Sequence, residues 1–278
     1  MTPLLLEFLN AREVDPATLV TLAARNDIHL VALCIRPFKA LTGQELPFSA
    51  LPDWDVVADT PNRRELKRRL ELEGVGVDSA DVFPLGPDTA VQDFRPELEA
   101  AAWLGAARVT IIPGDPDRVR LDDTAAAFCD LAAEYGLKVL HENSLRMTNQ
   151  TIVEQREFQR RLGKPNLEMV IDFLHNYRAG STIEQIADLD ASEVGRIQLC
   201  DGPAQTPERG GGYEAFYERM IPGEGDFPMV EMIRATPEGV NIGFEVPLWE
   251  LQQAGVGPAE RVRRIVTAGR KLLADSGR

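Results

Sequence analysis

Eight short apolar segments recur along the chain, and each is followed by a stretch whose apolar residues have helical spacing. Each segment has the length and the nearly continuous apolar character of a strand buried in a parallel sheet. The predicted strands are Leu4–Phe8, Leu30–Ile35, Val75–Asp78, Arg108–Ile112, Leu137–His141, Leu167–Asp172, Gly195–Leu199 and Val240–Glu245. Eight such strand–helix units in 278 residues predict a single (β/α)8 TIM barrel that spans residues 1–278.

A doubly wound open sheet shows the same alternation and is the alternative fold. It is disfavoured because the first predicted strand is not followed by a glycine-rich phosphate-binding motif. No linker rich in Pro or Ser interrupts the pattern, which favours one domain. The sequence also predicts helix ends at Gly105, Gly136 and Gly163, and helix starts at Asp122 or Asp123 and at Ser181-Thr182.

Acidic residues outnumber basic ones, with 44 Asp and Glu against 30 Lys and Arg and a net charge of -14. Such a surface repels phosphodiester backbones and anionic lipid headgroups, so we expect no nucleic-acid and no membrane partner. The cysteines Cys34, Cys129 and Cys200 are odd in number and widely spaced, which is typical of reduced thiols. The N-terminal segment lacks the basic start of a signal peptide, and no apolar run approaches about 20 residues, so the prediction is a cytoplasmic protein.

Oxygen-bearing side chains stand at the C-terminal ends of four of the predicted strands. They are Glu142, Asp172, Gln198 and Glu245. In a (β/α)8 barrel these strand ends form one rim, so the four side chains are predicted to converge. Three carboxylates and one amide oxygen match the ligand preference of a hard divalent cation. The alternative is that these acids cap helices or form ion pairs along the rim.

Two predicted loops on the same rim exceed the usual length of a strand–helix connection. They are Pro37–Trp54, after the second strand, and Gly202–Pro228, after the seventh. The second loop contains Gly210-Gly211-Gly212 followed by aromatic residues, which favours a mobile lid over the site. A disordered surface insertion is the alternative.

Several motifs in the second half of the chain follow these strand ends. They are Asp172-Phe-Leu-His175 with Arg178-Ala-Gly180, Gln198-Leu-Cys-Asp201-Gly-Pro203, Pro222-Gly-Glu-Gly-Asp226 and Gly243-Phe-Glu245. Together they resemble motifs of the xylose isomerase-like TIM barrel family of sugar isomerases and epimerases, over roughly residues 137–250. The resemblance implies one divalent cation, often Mn²⁺, Mg²⁺ or Co²⁺. The implied metal ligands are Glu142, Asp172, Gln198 and Glu245.

One position departs from that family. Many members have His where this chain has Gln198, and an amide oxygen makes the site harder and less suited to Zn²⁺. A Gln here also resembles the 3-dehydroshikimate dehydratase branch, which uses the same barrel for a lyase reaction. The zinc-dependent endonuclease IV type, another relative, needs many His ligands, whereas this chain has only His29, His141 and His175.

The implied chemistry is proton abstraction next to a carbonyl group that binds the cation. The resemblance implies that Glu142 and Glu245 remove and return the proton from different sides, as in a sugar isomerase or epimerase. Loss of a β-hydroxyl instead gives a dehydratase of the 3-dehydroshikimate or inosose type. A non-catalytic sugar-binding barrel is the third hypothesis. The expected partner is a small polyhydroxy carbonyl substrate, and the resemblance further implies a homodimer or homotetramer.

Other residues near the same rim complete the predicted site. The resemblance implies that His175 donates to a substrate oxygen, with a role in acid catalysis, and that Arg219 binds substrate. Arg36, with Phe38 beside it, and Trp249 follow predicted strands and are further candidates for substrate binding. The alternatives are a helix-capping role for His175, a surface position for Arg219 and core packing for Trp249.

Strand alternation orients three further side chains. His141 precedes Glu142, so His141 is predicted to point towards the helices if Glu142 points into the barrel. Cys200 shares the inward face of Gln198 and is interpreted as a small filler, because no His is close to it in sequence. Asp115 follows the fourth predicted strand and either binds substrate or caps the next helix.

Overall fold

The structure, a computed structural model, describes residues 3–36, 54–143, 148 and 150–278. Eight parallel strands close into a barrel in which each strand pairs with the next and β8 pairs with β1. The strands are β1 Leu4–Glu7, β2 Leu30–Cys34, β3 Gly76–Leu85, β4 Arg108–Pro113, β5 Lys138–His141, β6 Leu167–Asp172, β7 Val194–Leu199 and β8 Asn241–Phe244. The predicted (β/α)8 TIM barrel is therefore confirmed. The predicted loop Pro37–Trp54, with Phe38, lies outside the described residues except for Trp54.

Helices connect the strands and pack around the barrel. They are α1 Pro16–Arg25, α2 Pro61–Glu73, α3 Arg95–Leu104, α4 Arg118–Glu134, α5 Ile152–Leu162, α6 Phe173–Arg178, α7 Ile183–Ala187, α8 Gly211–Tyr217, α9 Met229–Ala235, α10 Trp249–Gln253 and α11 Pro258–Asp275. Short 3-10 helices follow β1 at Phe8–Ala11 and β3 at Val91–Phe94. No helix in the described part of the chain has both the length and the apolar character needed to cross a membrane.

Strand β3 runs to Leu85, well beyond its predicted end at Asp78. The sequence predicts an end there because Asp78, Ser79 and Asp81 interrupt the apolar run. Both carboxylates are buried inside the barrel, where Asp78 lies 3.6 Å and Asp81 3.7 Å from the guanidinium of Arg196. Because these charges are paired, the strand continues through them.

The helix ends predicted at glycines are confirmed. Gly105 and Gly163 end α3 and α5 with φ of 87° and 60°, a left-handed conformation that glycine adopts without steric cost. Gly136 follows α4 with φ of 72°. The predicted start at Thr182 is also confirmed, since its hydroxyl accepts from the N–H of Gln185 in the capping box of α7.

The predicted start of α4 at Asp122 or Asp123 is wrong. The helix begins at Arg118, and the carboxylate of Asp117 accepts hydrogen bonds from backbone N–H groups of the first turn. Asp122 lies within the helix and forms an ion pair with Arg161 of α5 at 2.8 Å. In the sequence, an acid on the surface of a helix cannot be told from an acid that caps a helix. The ion pair with Arg161 in the neighbouring helix shows that Asp122 is of the first kind.

The barrel interior contains a buried charge cluster around Arg196. Its guanidinium donates to Ser79 Oγ at 2.5 Å and lies 3.3 Å from Glu7 Oε1. Burial opposes the positive charge, but the neighbouring carboxylates, Glu7 foremost, outweigh burial and raise the pKa of Arg196. A fixed positive charge therefore lies inside the barrel, below the ends of the strands.

Gly269 of α11 lies in close contact with the barrel. A methyl group at this position would be 2.1 Å from the fully buried ring of Phe244 in β8. The absence of a side chain therefore allows α11 to pack directly on the strand.

We expect Gly269→Ala to destabilise the protein by about 1–3 kcal/mol, because overpacking outweighs the gain of about 1 kcal/mol in helix propensity. Urea unfolding measures the change in the free energy of unfolding. Gly86→Ala is the matched control, since a methyl group there meets nothing within 4 Å. A Gly269→Ala protein as stable as the original chain would contradict the close packing.

Candidate metal and active site

Glu142, Asp172 and His175 come together at the C-terminal end of the barrel. Glu142 follows β5, Asp172 is the last residue of β6, and His175 lies in α6 directly after that strand. A carboxylate oxygen of each acid and a ring nitrogen of His175 all lie within 4.8 Å of one another. The cluster has the donor atoms and the size needed to hold one metal ion.

Arg219 contacts two of the predicted metal ligands. Its Nη1 lies 2.6 Å from Asp172 Oδ2, and its Nη2 lies 2.8 Å from Glu245 Oε2. The residue is 2% exposed, and it also donates to the Ala215 carbonyl and to Cys200 Sγ. The alternative of a surface arginine is therefore wrong, because Arg219 is a buried member of the acidic cluster.

Gln198 lies near the end of β7, in register with Asp172 of β6 and Gly243 of β8. Its side chain is buried, and its Oε1 accepts no hydrogen bond from the described residues. A buried amide oxygen without a donor is costly, and a cation at the rim would satisfy it. The position of Gln198 thus fits its predicted role as a ligand.

When all three are ionised, the carboxylates of Glu142, Asp172 and Glu245 carry more negative charge than Arg219 compensates. Burial raises the pKa of Glu142 well above its usual value, and the charges of Glu245 and Asp172 add to the shift. Burial also raises the pKa of Glu245 to about 7, although Arg219 opposes it. For Asp172, attraction to Arg219 and His175 outweighs the effect of burial and lowers the pKa. Three ionised acids around one guanidinium would leave two negative charges unbalanced.

This set of donors fits a divalent cation. An excess of negative charge, the unsatisfied oxygen of Gln198 and the imidazole of His175 are all features that a dication would stabilise. The oxygen donors suit Mg²⁺ and Mn²⁺, and the nitrogen donor makes the set compatible with Co²⁺ and Zn²⁺ as well. The residues that would hold the ion are Glu142, Asp172, His175, Gln198 and Glu245.

His175 has a neutral side chain near neutral pH, because burial lowers its pKa to about 4 against the opposing charge of Asp172. Its backbone N–H donates to Asp172 Oδ1 at 2.9 Å, so Asp172 is the cap of α6. The Nε2 atom lies 3.8 Å from Glu142 Oε1, and Nδ1 has no hydrogen-bond partner among the described residues. A neutral imidazole in this position is able to bind a cation or to donate to a substrate oxygen.

Arg36 and Trp249 contact residues other than the clustered carboxylates. Arg36 forms an ion pair with Glu97 of α3 at 2.8 Å. The Trp249 ring meets Tyr217 of α8 edge-on at 5.8 Å between centroids, and the guanidinium of Arg12 lies 4.8 Å from its centroid. The substrate-binding roles of Arg36 and Trp249 stay predictions.

The other residues oriented by strand alternation have structural contacts. His141 packs against Phe158 of α5 at 5.2 Å between ring centroids, which confirms that it points towards the helices. Burial raises the pKa of the Cys200 thiol and keeps it protonated, in agreement with a filler role. Asp115 is paired with Arg120 of α4 at 2.5 Å, which agrees with a role at the start of that helix.

Asp201 joins two of the sequence motifs. Its carboxylate accepts hydrogen bonds of 2.8–3.2 Å from the backbone N–H groups of Gly202, Gly223, Gly225 and Phe227. A methyl group at Gly225 would lie 2.3 Å from Asp201 Oδ1, so this close approach requires glycine. The contact fixes the segment around residues 223–227 against the end of β7.

The segment Gly202–Pro228, predicted as a mobile lid, contains α8 and packs through a buried ion pair. Arg178 Nη2 lies 2.6 Å from Glu214 Oε1 of α8, and both side chains are almost fully buried. The same guanidinium donates to the carbonyl of Pro203 at 2.7 Å. These contacts contradict the alternative of a disordered insertion.

Glu7 is a buried acid close to the site that the predicted ligand set omits. It ends β1, lies 3.3 Å from Arg196 Nε, and neither of its carboxylate oxygens has a hydrogen-bond donor in the described part of the chain. A methyl group at Gly243 would lie 2.3 Å from Glu7 Oε1, so this carboxylate fills the space that the glycine leaves. The signal in the sequence is an acid near the end of the first predicted strand, Leu4–Phe8.

The chain belongs to the xylose isomerase-like TIM barrel family, whose model matches residues 39–260. This match confirms the family resemblance that the motifs indicate. A search of curated proteins finds no match.

Solved structures with the same fold include several kinds of protein. The IolI protein, solved with a zinc atom, is 15% identical, with a TM-score of 0.77 and 99% of both chains covered. The probable 3-DHS dehydratase AsbF from Bacillus anthracis is 14% identical, with a TM-score of 0.70, and the match covers 96% of this chain and 98% of AsbF. D-psicose 3-epimerase from Clostridium cellulolyticum H10 is 14% identical, with a TM-score of 0.67 and 99% of both chains covered. At these identities the likeness shows the fold alone.

The buried imidazole of His141 predicts a loss of stability in acid. Burial lowers its pKa from 6.5 to about 3, so between these values the unfolded chain binds a proton that the folded chain does not. Stability is therefore fully present above the unfolded pKa and falls with pH, by about 2 kcal/mol at about pH 5. We expect His141→Leu to remove this part of the loss, measured by urea unfolding at about pH 7.5 and about pH 5.

The matched control is His29→Leu, which makes the same substitution at an exposed position and should leave the loss of stability caused by His141 in place. If His141→Leu lost as much stability as the original chain between the two pH values, the imidazole would not be the cause.

Proposed function

We propose that this protein is a divalent-metal-dependent isomerase or epimerase that acts on a small polyhydroxy carbonyl compound such as a sugar. The observation that carries the proposal is the convergence of Glu142, Asp172 and His175, whose ligand atoms lie within 4.8 Å of one another at the end of the barrel. Family membership supports the same class of function. Two sugar 3-epimerases, of D-psicose and of L-ribulose, also have this fold.

Glu142 and Glu245 are the proposed proton-transferring residues. A cation held beside them would act as a Lewis acid on a carbonyl and a neighbouring hydroxyl oxygen of the substrate. A carboxylate beside the reacting carbon is able to accept a proton and to return it. The two acids follow different strands, β5 and β8, so they reach a bound substrate from different directions.

The outcome depends on where the proton returns. An epimerase results if one glutamate removes the proton and the other delivers a proton to the opposite face of the same carbon. An isomerase results if the proton is delivered to the neighbouring carbon. If the other residues hold the ion, His175 supports either reaction, because its buried and neutral imidazole is suited to donating to a substrate oxygen that gains negative charge.

A lyase is the second candidate function. The presence of Gln198 where many relatives have His resembles the dehydratase branch, and the probable 3-DHS dehydratase AsbF has the same fold. In a dehydratase one glutamate removes the same kind of proton, and the β-hydroxyl then leaves as water after it receives a proton from the protonated glutamate. A non-catalytic barrel would use the same polar rim to bind a sugar without turnover.

Solvent isotope exchange separates these functions. The protein is incubated in D₂O with Mn²⁺ or Mg²⁺ and D-psicose, L-ribulose or 3-dehydroshikimate. Deuterium at the carbon next to the carbonyl, without new ultraviolet absorbance, identifies an isomerase or epimerase. A new ultraviolet absorbance from an unsaturated product identifies a dehydratase. Neither signal across a wider panel of ketoses and cyclic polyol ketones, with each cation, would contradict both enzyme functions.

We expect Glu245→Gln to keep the fold and to lower turnover by about a thousandfold or more, because it removes a base and a ligand charge. The rate of deuterium exchange measures the loss, and urea unfolding checks the fold. Glu250→Gln makes the same change at an exposed position of α10 and should leave turnover unaltered. Near-normal turnover in Glu245→Gln would refute the proposed role.

Gln198→His is expected to shift metal preference towards Zn²⁺ or Co²⁺ over Mg²⁺, because an imidazole nitrogen is a softer donor than an amide oxygen. Competition titrations with each ion, followed by calorimetry, measure the ratio of affinities. Unchanged selectivity would remove Gln198 from the ligand set, whatever its effect on turnover.

A further inference from the structure

Arg219 contacts two carboxylates that the candidate metal site also requires. One guanidinium nitrogen contacts Asp172 Oδ2 and another contacts Glu245 Oε2, at 2.6 and 2.8 Å. We propose that Arg219 is an internal cation that competes with the divalent ion for Asp172 and Glu245, so that the guanidinium must move when the ion binds. This inference rests on the proposed metal-dependent function and adds a residue that sets metal affinity.

The hydrogen bonds of Asp172 explain why competition is direct. Its Oδ1 accepts from the backbone N–H of His175 at 2.9 Å, and its Oδ2 accepts from Arg219. Both oxygens are therefore engaged while Arg219 stays in place. An ion bound to Oδ2 would lie close to a guanidinium that is charged at all accessible pH values, and the two cations repel each other strongly at contact distances.

Glu142 is the acid through which an ion can enter the cluster. Within the described residues, its ion-pair contact is the one with His175 Nε2 at 3.8 Å, and no Arg or Lys pairs with it. Its side chain is 14% exposed, whereas those of Asp172 and Glu245 are 0% and 5% exposed. An incoming ion therefore meets Glu142 and His175 first and reaches Asp172 by replacing Arg219.

The contacts of Arg219 indicate that its side chain, and not its backbone, would move when an ion binds. Its backbone N–H donates to the carbonyl of Pro247 at 3.0 Å, and the adjacent Met220 forms a bridge with Asp201. Beyond the two ion pairs, the side chain is held by single hydrogen bonds from Nε to the Ala215 carbonyl at 3.1 Å and from Nη1 to Cys200 Sγ at 3.2 Å. A change of rotamer breaks these contacts without moving the backbone.

Calorimetric titration of the metal-free protein with Mn²⁺ alone tests the competition. We expect Arg219→Met to bind Mn²⁺ about tenfold to a hundredfold more tightly than the original chain, because a positive charge no longer opposes the ion. Arg209→Met removes the same charge from an exposed position earlier in the same segment and should leave the affinity unchanged.

A second measurement uses the original chain, because Arg219→Met leaves two buried acids unpaired and is at risk of not folding without metal. In ¹⁵N-arginine spectra, buried and ion-paired guanidinium groups retain protected Nη protons, and Arg219→Lys identifies the signal of Arg219. Diamagnetic Mg²⁺ should shift or remove this signal. The signal of Arg178, which pairs with the buried Glu214, should persist.

The two results together support the proposal. Tighter binding without any change in the Arg219 signal overturns it, because loss of charge alone would then explain the affinity. A metal-bound original chain with an unchanged Arg219 signal also overturns it while leaving the metal-dependent function intact. If neither the original chain nor Arg219→Met binds a divalent ion, the competition and the proposed function both fail. If Arg219→Met does not fold, the spectra of the original chain decide.

Discussion

Burying several carboxylates at the mouth of a barrel costs free energy unless cations balance them. In this protein two arginines do so, one at the rim and one inside the barrel. Arg219 contacts Asp172 and Glu245 at the rim, and Arg196 lies within the barrel beside Glu7 and the acids of β3. The balance is incomplete at the rim, and the raised pKa values of Glu142 and Glu245 reflect this. A dication at the rim would balance the charge of these carboxylates.

The position of Arg219 at the rim depends on a tightly held backbone around it. Arg219 reaches the rim because the segment around it is fixed to the end of β7, where Asp201 accepts four backbone hydrogen bonds and Met220 pairs with it. Gly225 permits that approach, and Gly243 leaves space for the carboxylate of Glu7. Neither glycine is required by a left-handed backbone angle. Their role is to leave room for a neighbouring carboxylate in a closely packed structure.

Strand ends were the part of the site that the sequence could predict, because an apolar run followed by an acid marks both a strand and its rim residue. Asp172 and Gln198 are close to the ends of their strands, and Glu142 and Glu245 directly follow theirs. The pairing of Arg219 with Asp172 depends instead on how a long segment folds back, which no local pattern records. The length of strand β3 was underestimated for a related reason. Asp78 and Asp81 are typical of loop residues in sequence, and only the structure shows that both pair with Arg196 inside the barrel.

The structure shows which of the three histidines lies close enough to the acidic cluster to bind a cation there. His29 is exposed and paired with Asp27, and His141 points outward against Phe158, so neither lies in the acidic cluster. With an amide at Gln198 in place of an imidazole, His175 is the histidine positioned to offer nitrogen to a cation. Its backbone is held by the Asp172 cap of α6, so the helix that follows β6 would supply the nitrogen donor of such a site. Oxygen donors dominate a site of that composition, and its affinity for a hard ion would then depend mainly on how much of the carboxylate charge Arg219 already neutralises.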